Sequence, residues 1–210
     1  MQVLKNFVVF EGCDGGGRST QLELLRERFS NKANNKCGFT ATFEPTDGEL
    51  GQTIRKALAG KISLNAQTLA YLFAADRNEH LFGENGIEKI ARNGNLVVCD
   101  RYVLSSLVYQ GIECGDELPK LLNERFPAPE MTIFFDIDMQ TAQKRMEDRQ
   151  VKDIFEKLNF QIKVRERYKI FLEQFEKNGG TVYTVDSSKS IAEVEQEVWK
   201  HILKMPIFNM

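Results

Sequence analysis

The stretch Gly12-Cys-Asp-Gly-Gly-Gly-Arg-Ser19 limits what this chain can fold into more than any other. It follows the apolar run Phe7-Val-Val-Phe10, which reads as a strand interrupted at its end by Glu11. It precedes Thr20 to Phe29, where Leu22, Leu24, Leu25 and Phe29 share one helical face. Clustered glycines between a strand and a helix let successive backbone N–H groups curl around an anion without Cβ clashes, and the helix N-terminus adds partial positive charge. The loop fits G-x-x-x-x-G-K-[ST] at every fixed position but one, where Arg18 stands for lysine. It predicts a nucleoside triphosphate held by its phosphates through Gly12, Cys13, Asp14, Gly15, Gly16, Gly17, Arg18, Ser19 and Thr20, with the Ser19 hydroxyl supplied to Mg²⁺.

The remaining chain agrees with such a loop. Phe39–Phe43, Leu96–Cys99, Thr132–Phe135 and Thr181–Val185 are short and mostly apolar on both faces, as strands covered by helices on both sides must be. Asn65–Phe82, Glu156–Lys177 and Ser190–Lys204 carry helical periodicity, with Ser190 and Glu193 spaced as a capping box. One doubly wound α/β domain over residues 1–210 is expected, a mostly parallel five-stranded sheet between helical layers. A net charge of −2 gives no global pull toward nucleic acid or an anionic membrane. No apolar run approaches the roughly 20 residues that span a bilayer, and no signal peptide is visible. Cys13, Cys37, Cys99 and Cys114 lack paired spacing, so no zinc site is expected, and scattered thiols suit a cytoplasmic location.

Further motifs follow in order: Glu44-Pro45, Leu72-Phe-Ala-Ala-Asp-Arg77, Asp100-Arg-Tyr-Val-Leu-Ser-Ser-Leu-Val-Tyr-Gln-Gly111, Phe134-Phe-Asp-Ile-Asp138 and Phe160-Gln-Ile-Lys-Val-Arg-Glu-Arg-Tyr168. With Val9 to Thr20 they resemble the thymidylate kinases, nucleoside monophosphate kinases of the P-loop class, over almost the whole chain. The resemblance implies the P-loop kinase fold and transfer of the ATP γ-phosphoryl group to dTMP, with Mg²⁺ as cofactor and ATP as co-substrate. It also implies a homodimer, for which the Asn65–Phe82 helix is a candidate surface. By the same resemblance Arg101 holds the acceptor phosphate and Asp100 orients it or meets the Mg²⁺ shell through water. Phe73 and Arg77 read the base, while Ser105, Ser106, Tyr109, Gln110 and Glu44 line the acceptor site. The Tyr109 ring crowds the place of a ribose 2′-OH, and Asp14 meets the sugar 3′-OH. Residues 144–156 resemble a lid, with Arg149 and Lys152 as its basic candidates and Asp153 and Glu156 as its acidic ones.

Three positions depart from the pattern. Arg18 replaces the loop lysine, Phe43 stands before Glu44-Pro45 where an arginine is common, and Ile154 occupies a lid position that is often arginine. Reduced turnover is the expected consequence, with Arg18, Arg101 and Arg149 as the compensating cations. Two alternatives stay open on the residues alone: a kinase for another deoxynucleoside or nucleotide, and a nucleotide-binding protein with weakened transfer.

Overall fold

The computed structural model describes residues 2–30, 37–147 and 154–208. Five parallel strands form one sheet: β1 (Val3–Gly12), β2 (Phe39–Phe43), β3 (Leu96–Asp100), β4 (Ala128–Asp136) and β5 (Val182–Asp186), in the order β2-β3-β1-β4-β5. The sheet is wholly parallel, where the sequence suggested mostly parallel. β1 lies in the middle, in register with β3 (Phe10 opposite Asp100) and with β4 (Gly12 opposite Phe135). The C-terminal ends of β1, β2 and β3 therefore lie along one edge, where open α/β sheets bind ligands.

Alternation along the central strands explains the two helical layers. Val8, Phe10, Val98, Ile133 and Phe135 face one way, toward α1 (Arg18–Ser30) and α9 (Ile191–Ile202), and are buried with Leu22, Leu25, Val194 and Val198. Phe7, Val9, Val97 and Cys99 face the other way and are buried with Leu81, Ile87 and Tyr102. On that same side Phe134 packs with Val164, Tyr168 and Phe171. These come from α3 (Ala66–Phe82), α4 (Ile87–Arg92), the residue before α5 (Val103–Cys114) and α8 (Ile154–Lys177). Asn65 caps α3 by accepting from Thr68 N, and the Ser190–Glu193 capping box opens α9. Short helices α2 (Glu49–Leu58), α6 (Glu117–Asn123) and α7 (Met139–Glu147) complete the described α-helices and lacked a clear sequence signal, and a 3-10 turn over Pro206–Phe208 follows α9. Among the described residues no helix is long and apolar enough to cross a membrane.

Candidate functional site

β1 runs straight into the glycine loop. Gly12 has φ +152°, and a Cβ there would lie 2.7 Å from the Phe135 carbonyl oxygen. Gly15 has φ +79°, and its Cβ would meet the Ala142 carbonyl at 2.8 Å, so the loop lies against α7. A cavity of about 450 Å³ opens over Asp14 to Gln21. Its far wall is Arg145 of α7 with Ser187, Lys189 and Ile191, which link β5 to α9. Arg145 falls in the expected lid segment 144–156, whereas Ser187, Lys189 and Ile191 carry no sequence signal, because residues so far from the loop meet it only once β5 is placed beside β4. Ser187 Oγ is buried there without a hydrogen-bond partner among the described residues.

Arg18 is buried and turned back into the loop. Its Nη1 donates to the Gly12 and Cys13 carbonyls, both at 2.6 Å, and its Nε to Asp100 Oδ1 at 2.7 Å. Nη2 lies 3.9 Å from Asp14 Oδ1. Gly12 and Cys13 thus serve the loop through their carbonyls and do not line the cavity. Burial pushes the Cys13 thiol up to about 12, which leaves it protonated and inert. Ser19 Oγ donates to Asp100 Oδ2 at 2.8 Å, so one carboxylate at the end of β3 holds both Arg18 and Ser19.

Arg101, the next residue, has φ +74°, in the left-handed region that a side chain rarely adopts. Its guanidinium donates to Asp14 Oδ1 at 2.5 Å, Ser105 Oγ at 3.0 Å, and the hydroxyls of Tyr109 and Tyr168, both at 3.2 Å. Burial by itself would raise the Asp14 carboxyl, but Arg101 and Arg18 outweigh it and hold the group below its ordinary value.

Beneath Arg101 lies Glu11, fully buried. Its carboxylate accepts from Tyr102 N at 3.0 Å, Ser105 N at 3.2 Å, Ser105 Oγ at 2.7 Å and Tyr168 OH at 2.9 Å. Tyr102 has no side-chain cap of its own for α5, so Glu11 supplies one from β1. Burial holds the Glu11 carboxyl above its ordinary value, against the lowering hydrogen bonds and the nearby arginines.

A second cavity, of about 300 Å³, is lined by Asp14, Glu44, Phe73, Arg77, Arg101, Ser105, Ser106, Tyr109 and Gln110. Glu44, Phe73, Arg77, Arg101, Ser105, Ser106, Tyr109 and Gln110, expected from the sequence on the acceptor side, are all on its wall, whereas Asp100 is not. Arg77 is only 1% exposed and donates to Glu44 Oε2 at 2.9 Å, to Ser106 Oγ at 3.1 Å and to Asn123. Both Glu44 oxygens are engaged, Oε1 lying 3.1 Å from His80 Nδ1, so Glu44 acts on the cavity by fixing Arg77. Gln110 Oε1 is buried without a partner among the described residues. A third cavity, about 370 Å³ and mostly apolar, lies between α6 and α8 and carries none of the residues expected to bind phosphate.

Comparison with known proteins decides the family. The family model described as thymidylate kinase matches residues 10–198. The chain belongs to the thymidylate kinase family. It is 41% identical over 212 residues to a Methanococcus maripaludis protein described as "Probable thymidylate kinase", covering 97% of this chain and 98% of the relative. A Methanococcus vannielii protein of the same description is 38% identical, covering 93% and 94%. One from Methanocaldococcus jannaschii is 36% identical, covering 95% and 97%.

The expected lid of this family member falls partly on α7 and on the start of α8, while Arg149, Lys152 and Asp153 lie outside the described residues. The backbone of Ile154 and Glu156 is helical in α8. The sequence marks Glu11 as a charge interrupting an apolar strand and Tyr168 as the end of a motif, but assigns neither a role in the site.

Proposed function

We propose that the chain catalyses its family's reaction, transfer of the γ-phosphoryl group of ATP to the 5′-phosphate of dTMP to give ADP and dTDP, with the two cavities as donor and acceptor sites. The observation that carries this reading is Asp14, which lines both cavities and is bound by the acceptor-side Arg101. Phosphoryl transfer asks for two anionic groups brought together in line and for positive charge at the transferring group, more than for covalent help.

In this reading the loop N–H groups cradle the ATP phosphates, and Arg18, held by its Nε and Nη1, offers Nη2 toward the transferring group. Arg101 grips the dTMP phosphate, so one of its oxygens attacks the γ-phosphorus while the bond to the ADP oxygen breaks. Phe73 lies against the base, Arg77 and Ser106 present donors to its edge, and Tyr109 covers the sugar. Arg149 of the lid supplies the remaining charge. Ser19 and Asp100 are hard oxygen donors adjacent to each other, a set that suits Mg²⁺ held directly or through water. Mg²⁺ held there would offset the negative charge that develops on the phosphates during transfer.

A homodimer through α3 fits the exposed stripe of Tyr71, Ala75, Asn78 and Phe82 on that helix. A cytoplasmic location fits four free cysteines. The deciding experiment is a coupled ADP-release assay with ATP and Mg²⁺ across the nucleoside monophosphates. Preference for dTMP supports the reading, and absence of dTDP under every condition overturns it. Sedimentation of wild type against Tyr71→Glu tests the dimer.

A further inference from the structure

We propose that Glu44, His80 and Cys99 form a zinc(II) site behind the acceptor cavity, and that metal bound there slows the enzyme by disturbing Arg101. The three donors come from separate elements. Glu44 follows β2, His80 lies on α3 and Cys99 lies on β3, yet their ligating atoms are all within 4.8 Å of one another. No spacing in the chain announces this, since the contact depends on β2 pairing with β3 and on α3 crossing over both.

The set is chemically apt for zinc. A thiolate, an imidazole and a carboxylate with a fourth position left for water match this borderline-soft cation and do not match magnesium or calcium. Tetrahedral zinc holds its donors roughly 3.4–3.8 Å apart, so the cluster needs to tighten by on the order of 1 Å.

The outer partners are also in place. A metal-bound histidine needs its second ring nitrogen paired, and His80 Nε2 lies 2.6 Å from Thr42 Oγ1 while Nδ1 faces Glu44. A ligating carboxylate needs its other oxygen held, and Glu44 Oε2 is fixed by Arg77 at 2.7 Å while Oε1 is turned toward His80. Metal on Oε1, Nδ1 and Sγ therefore leaves the Glu44–Arg77 pair intact. His80, with its side chain 12% exposed, marks the way in.

The third donor links the site to catalysis. Cys99 Sγ donates to the Arg101 carbonyl at 3.1 Å. Coordination forms a zinc–sulfur bond and releases the thiol proton to solvent, so the Arg101 carbonyl loses that donor. Arg101 sits at φ +74° and depends on such contacts to keep its guanidinium over Asp14.

The test uses the intact chain with zinc chloride, first in competition with a chromophoric chelator, then with cobalt(II) as a spectroscopic substitute. Cys99→Ser keeps a hydroxyl for the Arg101 carbonyl but is a poor zinc ligand, and His80→Asn removes the imidazole. Wild type is expected to bind one zinc per chain and to show a thiolate-to-cobalt charge-transfer band. Each variant removes a direct ligand and should bind zinc much more weakly than wild type, and Cys99→Ser should lose the band. In assays at saturating Mg²⁺ and ATP, zinc should slow wild type, reversibly with chelator, and leave Cys99→Ser turning over. Equal zinc affinity in wild type and both variants, or cobalt binding without the thiolate band, overturns the proposal. The inhibition rests on the kinase reading; the binding measurements do not, so the two can fail separately.

Discussion

Arg18 Nε lies 2.7 Å from Asp100 Oδ1, joining the one irregular residue of the phosphate loop to the end of β3. The other carboxylate oxygen takes the Ser19 hydroxyl at 2.8 Å, and Arg18 Nη1 closes on two loop carbonyls. Arginine is therefore seated in a built socket that uses the forked shape of its guanidinium.

Replacing Arg18 by lysine tests that seat. A single ammonium keeps the charge but cannot reach Gly12, Cys13 and Asp100 together from one stem. Each charge-assisted bond contributes about 1.5–3 kcal/mol, so Arg18→Lys should lower kcat/KM for ATP by about 10- to 100-fold. Steady-state kinetics at saturating dTMP check this. A variant as fast as wild type would mean that the socket is incidental to turnover.

Glu11 offers a separate test because its two roles respond in opposite ways. The folded-state pKa of Glu11 lies above its unfolded value, since burial disfavours the charge. Its contribution to stability is then fully present below the ordinary carboxylate value and is lost as pH rises through the raised one. Thermal scans from about pH 4 to pH 8 should show wild type losing ground to Glu11→Gln as pH rises. Meanwhile the amide cannot accept from all four donors, so Arg101 and the start of α5 are held less well. The KM for dTMP should rise by about tenfold, with kcat changed less. A variant with unaltered KM would show that the network supports the fold alone.

These two residues also show what the sequence made legible. The loop, the five strands and the four long helices were readable because each depends on local periodicity or on glycine spacing. The acceptor wall was readable only through motif resemblance, since Phe73, Arg77, Arg101 and Tyr109 are otherwise ordinary core or surface types. What escaped depends on long-range contact. Arg18 reads as a departure from a motif until β3 brings Asp100 to it. Glu11 reads as an odd charge in a strand until Tyr168, from α8, closes the network across 157 residues of chain.

Tyr109 separates a grip on Arg101 from a steric role at the sugar. Its hydroxyl accepts from Arg101 Nη2 at 3.2 Å, and burial pushes the phenol up to about 12, so it stays neutral across the working range. Tyr109→Phe removes one bond of about 0.5–1.5 kcal/mol and should raise the KM for dTMP by about 2- to 10-fold without changing sugar preference. Tyr109→Ala should also relax the preference for deoxyribose. Comparing kcat/KM for dTMP and its ribose counterpart checks both, and equal preference in the two variants would remove the steric role.

Ser190 N donates to Glu193 Oε2 at 3.0 Å and Ser190 Oγ accepts from Glu193 N at 3.4 Å, which fixes the first turn of α9. That turn begins with Ile191, which lines the proposed donor cavity and whose carbonyl takes Gln21 Nε2 at 3.0 Å. Losing a cap costs about 1 kcal/mol, so Ser190→Ala should lower the melting temperature by about 2–4 °C. Because the frayed turn borders only the ATP side, the KM for ATP should rise while that for dTMP stays unchanged. Calorimetry and the two KM values check this, and a parallel rise in both would mean that the cavities are not independent halves of the site.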